Sequence, residues 1–188
     1  MSQVWSLQAR AEGDDNGAYN VGGQQGMTTH LATGTRPVLA VANAGGHMTQ
    51  ALCAMKAVPS FHLVTTVKIV AQTGAEKVHY TIGTQKNPVI FLINIFIAGW
   101  IIFRVRPVAL FSTGGPACIP FAIVAKLIGL KFVYLDTLSR VVDLSNTAKF
   151  LYKHKLYSVM MSQWSGVADR YEGISYRGKV FDICNTGH

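Results

Sequence analysis

The 188-residue sequence predicts an α/β domain built on a doubly wound parallel sheet. Short β-branched or apolar runs alternate with segments of helical length, a pattern that favours βαβ crossovers over hairpins. Two of the runs, Pro37–Ala42 and Val108–Phe111, end in a glycine turn and lead into a helix-like apolar segment. The turns read Asn43-Ala44-Gly45-Gly46-His47 and Ser112-Thr113-Gly114-Gly115-Pro116. Glycine lets backbone N–H groups approach a ligand, and the following helix N-terminus favours negative charge. In such sheets ligands bind beyond the carboxyl ends of the strands, where both turns fall.

The elements follow in order. Met1–Thr35 is polar and glycine-punctuated, with no apolar run of the signal-peptide kind, and reads as a flexible leader; the folded domain is expected over 36–188. A strand at Val38–Ala42 precedes a helix over His47–Ala57, and a strand at Phe61–Thr66 leads into a variable stretch reaching Thr84. Pro88 opens a long apolar helix to Arg104, proline being favoured in the first turn. A strand at Val108–Ser112, a helix over Pro116–Ile128 stopped by Gly129, and a strand at Lys131–Leu135 come next. A helix over Leu144–Lys153 and a strand at Leu156–Met161 complete the pattern.

Composition narrows the partners. Apolar residues make up 49% and charged residues only 14%, so the core is generous or some apolar surface is covered. The surplus concentrates in Val89–Phe103, apolar on every face except at Asn94. At about 22 Å this helix falls short of the ~30 Å hydrocarbon core, so it is expected not to span. It is either core or a face laid on a bilayer or partner, with Ile93, Phe96 and Trp100 as membrane contacts and Arg104 and Arg106 beyond them. The net charge of +8 favours anionic partners. No basic run, zinc spacing or aromatic-basic motif supports nucleic acid. Cys53, Cys118 and Cys184 are scattered and odd in number, which suits buried thiols in a reducing compartment.

Acids are scarce in the centre of the chain, where Glu76, Asp136 and Asp143 stand alone. Asp136 directly follows a strand, at the ligand edge, and serves as a base, a helix cap or a partner for Arg140. His47 closes the first turn at the same edge. A helix N-terminus favours the neutral imidazole, the form a general base requires; the alternative is a purely local hydrogen-bonding role. Arg140 is suited to phosphate through paired donors. The remaining histidines show no metal-ligand spacing, and no metal or cofactor site is expected. The sequence lacks G-x-x-x-x-G-K-[ST], G-x-G-x-x-G and G-x-S-x-G, which argues against phosphate-loop nucleotide hydrolysis, NAD binding and an α/β-hydrolase triad.

The runs GGHMTQAL (Gly45–Leu52), STGGPACIP (Ser112–Pro120) and AKLIGLKFVYLDTLSRV (Ala125–Val141) resemble two related groups. These are the bacterial PssD-type polysaccharide-biosynthesis glycosyltransferase subunits and the eukaryotic membrane subunit of the transferase adding the second N-acetylglucosamine to dolichol pyrophosphate. The resemblance continues through Ser162–Trp164 and Tyr176–Phe181 and covers about Pro37–Phe181. More distantly, the chain is similar to the N-terminal half of MurG-type transferases. Three positions depart from the pattern: Asn43-Ala44 stands before Gly45, Gln50 replaces a frequent acid, and Asp136 replaces a glutamate.

The resemblance implies the Rossmann-like, acceptor-side half of a GT-B glycosyltransferase. A separate donor-binding subunit would supply the UDP-sugar, and the acceptor would be a lipid-linked saccharide at the cytoplasmic membrane face. On this reading His47 or Asp136 deprotonates the acceptor hydroxyl. Gly45, Gly46, Ser112, Thr113, Gly114, Gly115 and Arg140 bind substrate. The alternative is a non-catalytic membrane scaffold that recruits a catalytic partner.

Overall fold

Seven parallel strands form one sheet in the order β3-β2-β1-β4-β5-β6-β7. In chain order they are β1 (Val38–Val41), β2 (Phe61–Thr65), β3 (Lys77–Tyr80), β4 (Ala109–Ser112), β5 (Phe132–Leu135), β6 (Val159–Ser162) and β7 (Ile174–Tyr176). The helices are α1 (Gly46–Met55), α2 (Pro88–Val105), α3 (Cys118–Ile128), α4 (Asn146–Lys153), α5 (Ser165–Ala168) and α6 (Val180–Asn185). The computed structural model describes residues 36–68, 73–83 and 87–185. The expected leader, and parts of the stretch expected to vary, lie outside them.

Strand order reverses between β1 and β4, whose partners are Val38↔Ala109 through Val41↔Ser112. Chain runs outward from this pair in both directions, so the two glycine turns open side by side at the switch point of the sheet. Two apolar layers sandwich the strands, as parallel sheets require. Leu39, Val41, Leu110, Phe132 and Tyr134 face α2, α3 and α4. Ala40, Ala42, Leu63, Phe111 and Leu135 face the other way, onto Ala51 and Met55 of α1 and Val180 of α6.

The expected elements are all present, with ends shifted by up to three residues. α4 begins at Asn146, two residues late, because the Ser145 hydroxyl accepts the Ala148 N–H at 3.1 Å and sets the cap. Gly129 ends α3 with φ 71°, as a left-handed cap demands. Sequence reasoning missed β3, β7, α5 and α6. The two strands lie at the sheet edges, where short and polar strands suffice. Lys77-Val78-His79-Tyr80 therefore carries little apolar signal.

α2 extends to Val105, 18 residues, and by length and composition alone would pass for a membrane span. One side of it is seamed into the layer. Asn94, its one buried polar residue, accepts from the Thr81 hydroxyl and the Ile82 N–H and donates to the Ile82 carbonyl. Ala98, Ile101 and Ile102 are buried beneath it, yet Phe96 and Trp100 are 78% and 65% exposed. A purely buried helix does not describe it. Cys118 is a buried thiol pushed up to about 12 by desolvation, hence unreactive.

Candidate functional site

The two glycine turns are bonded to each other through one residue of each. His47 Nδ1 lies 3.0 Å from the Thr113 carbonyl, and the Thr113 hydroxyl donates to the His47 carbonyl at 2.5 Å. A carbonyl oxygen only accepts, so Nδ1 carries a ring proton, and in the neutral imidazole Nε2 is the nitrogen with the lone pair. This hydrogen bond fixes both the tautomer and the ring orientation of a half-buried histidine at the switch point.

The glycines divide into two kinds. Gly45 has φ 84° and its missing Cβ would meet nothing within 4 Å, and it is exposed like Gly46, so this turn is open to a ligand. Gly114 and Gly115 are buried. A Cβ on Gly114 would sit 2.9 Å from the His47 ring, and one on Gly115 would sit 2.5 Å from Asn43 Oδ1. The Gly114 N–H is already bonded to Ser112 Oγ. Ser112, Thr113, Gly114 and Gly115, expected to bind substrate, are all buried. They lie behind the first turn, and their smallness lets it pack close enough for Thr113 to hold His47.

Asp136 is buried, and both carboxylate oxygens are engaged. Oδ1 accepts the Thr137 N–H at 2.9 Å and the Tyr134 hydroxyl at 3.4 Å, and Oδ2 accepts the Ser145 N–H at 2.9 Å. It ties the end of β5 to the start of α4, closest to the capping role among those expected. Arg140 makes no ion pair among the described residues, so the expected Asp136–Arg140 pair does not form. Its exposed side chain follows the Thr137 turn on the same edge. Burial, Cys118 and Asp136 hold the Tyr134 phenol far above its ordinary value, so Tyr134 remains a neutral donor to the carboxylate.

Sequence reasoning overlooked a buried amide relay beside these residues. Gln163 Nε2 donates to Gln50 Oε1 at 2.7 Å and to the Asp136 carbonyl at 2.9 Å, while its Oε1 accepts the Val180 N–H. Gln50 Oε1 also accepts the Leu138 N–H. Two signals were present: Gln50 stands one helical turn after His47, and Gln163 directly follows β6 as Asp136 follows β5. A neutral amide at position 50 both donates and accepts here, which a carboxylate could not do. Among the described residues no cluster of His, Cys, Asp or Glu would hold a metal ion.

Known structures share this architecture. MurG from Acinetobacter baumannii superposes with TM-score 0.60 at 16% identity, covering 77% of this chain and 46% of MurG. UDP-N-acetylglucosamine 2-epimerase from Rickettsia bellii gives 0.60 at 10% identity, covering 80% and 46%. MnaA from S. aureus, solved with UDP, gives 0.58 at 9% identity, covering 80% and 47%. The chain thus spans about half the length of these structures, and at such identities the likeness defines the fold: one Rossmann-like half of a GT-B architecture. No curated protein sequence matches it. Residues 67–180 match the family described as "Oligosaccharide biosynthesis protein Alg14 like", and the chain belongs to that family. It is therefore a glycosyltransferase-related protein of lipid-linked oligosaccharide synthesis.

Proposed function

We propose that the chain is the acceptor-side subunit of a two-component, inverting glycosyltransferase. It would help transfer a sugar from a UDP-sugar to a polyprenyl-pyrophosphate-linked saccharide at the cytoplasmic membrane face. The observation that carries this reading is the His47–Thr113 hydrogen bond, which leaves Nε2 as a proton acceptor at the switch point. In a direct displacement the acceptor hydroxyl attacks the anomeric carbon, UDP departs from the opposite face, and Nε2 takes the hydroxyl proton. Asp136, with its oxygens engaged, orients the loop and does not serve as the base. Gly45 and Gly46 offer N–H groups, and Arg140 a cation, to phosphate.

Membership of the Alg14-like family supports a donor-binding partner on a separate polypeptide. The exposed stripe of α2, including Ile93, Phe96 and Trp100, supports membrane association without spanning. The test is transfer from UDP-sugars to extracted lipid acceptor. The purified chain alone is expected to be inactive and to gain activity on addition of the partner. Robust turnover by the isolated chain would sink the two-component reading. Full activity of assembled His47→Ala and Asp136→Asn variants would leave a recruiting scaffold as the better account.

A further inference from the structure

We propose that a cavity between the carboxyl-terminal parts of α2 and α3 binds one anionic phospholipid. An acyl chain would lie between the helices, and the headgroup phosphate would meet Arg36 and Arg106. The proposal rests on the membrane reading above and adds a discrete lipid site to it. The cavity holds about 500 Å³ and is walled by Gly99, Ile102, Phe103 and Ile128, with Arg36 and Arg106 also lining it. Such a volume is that of a ligand site, roughly 300–1,000 Å³.

Gly99 is the decisive residue. Mid-helix glycine costs about 1 kcal/mol relative to alanine, and a packing reason normally explains it. Here a Cβ would meet nothing within 4 Å, so no neighbour demands glycine. What the missing side chain does is keep the cavity open. The mouth is chemically matched to a phosphate on an apolar tail. No acid lines the cavity, and the Arg106 guanidinium lies 5.8 Å over the Phe103 ring, held along the wall. Arg106 is itself fixed as the left-handed cap of α2, with its N–H bonded to the Ile102 carbonyl.

Position excludes the reacting saccharide as the occupant. Arg36 precedes β1, Pro107 precedes β4 and Leu130 precedes β5, so the cavity opens at the amino edge of the sheet, opposite His47. Around it Trp100, Phe103, Leu127 and Ile128 are exposed, continuing the α2 stripe. A lipid could therefore enter from a bilayer with its chain shielded from water along the way.

The experiment uses the full chain with vesicles of phosphatidylcholine, alone or mixed with phosphatidylglycerol, followed by native mass spectrometry of detergent-extracted protein. Wild type should prefer the mixed vesicles and retain one phosphatidylglycerol. Arg36→Gln and Arg106→Gln should each reduce the preference about fivefold, the usual weight of one basic residue at an anionic surface. Gly99→Leu should retain no lipid while melting no lower than wild type, since leucine is the better helix former. Retention of phosphatidylglycerol by Gly99→Leu, or equal retention of phosphatidylcholine by wild type, overturns the lipid site and leaves membrane association standing. Failure of wild type to bind either vesicle overturns both.

Discussion

The two ends of the sheet are built on opposite principles. At the carboxyl edge, glycine turns, Asp136, Gln50 and Gln163 are stitched together by short hydrogen bonds, with buried Asn43 Oδ1 left without one. At the amino edge, α2 and α3 turn large apolar side chains outward, and the groove between them is empty of side chain at Gly99. Directional bonds fix atoms to within tenths of an ångström, which proton transfer needs. Apolar contact is non-directional, which suits a fluid surface. The contrast separates a region built for positioning from one built for association.

Five variants would break or sharpen that contrast. The largest effect is expected at His47: His47→Ala in the assembled transferase should lower kcat by roughly 10²–10⁴, with partner binding unchanged in a pull-down. Next comes the packing between the turns. Gly115→Ala places a Cβ against Asn43 at φ 87° and should destabilise the fold by about 2–4 kcal/mol in denaturant unfolding. Gly45→Ala, strained by its φ of 84° and ψ of −143° but with open space around it, should cost about 1–2 kcal/mol. Equal losses at the two positions would refute the division into a supporting and an open turn.

On the apolar side, Phe96→Ser with Trp100→Ser should weaken vesicle co-sedimentation by about tenfold or more while shifting stability little, both side chains being already in water. A drop in Tm comparable to that of a core substitution would make α2 an ordinary core helix. The smallest effect concerns His62 and His79, whose rings approach at 3.1 Å from Nδ1 to Nε2 on β2 and β3. Burial holds both below the ordinary histidine value. The unfolded chain therefore binds protons first as pH falls through about 6.5, and Tm should decline below that pH. His79→Gln should flatten that decline in a thermal melt series.

Much of this was legible from residue order alone, and the reason is physical. A buried parallel strand must be apolar on both faces, and a turn that reverses into a helix needs glycine, so β1, β4, β5 and both turns announce themselves locally. Edge strands β3 and β7 have no such requirement and passed unnoticed. Asp136, the first residue past β5, and His47, at the start of the helix that the glycine turn after β1 leads into, were placed at the carboxyl edge by the same grammar. Their chemistry was not so readable. Whether a carboxylate is free or fully bonded depends on Thr137, Tyr134 and Ser145, the last nine residues away and brought near by the β5–α4 turn. Whether Gly114 meets a ligand or a histidine ring depends on a strand pairing between residues about seventy positions apart. The sequence determined the strands, turns and apolar excess because each answers to its neighbours along the chain. Tertiary structure alone decided which glycines support and which stay open, which acid is saturated, and which face of α2 remains outside, because those depend on partners the chain order does not specify.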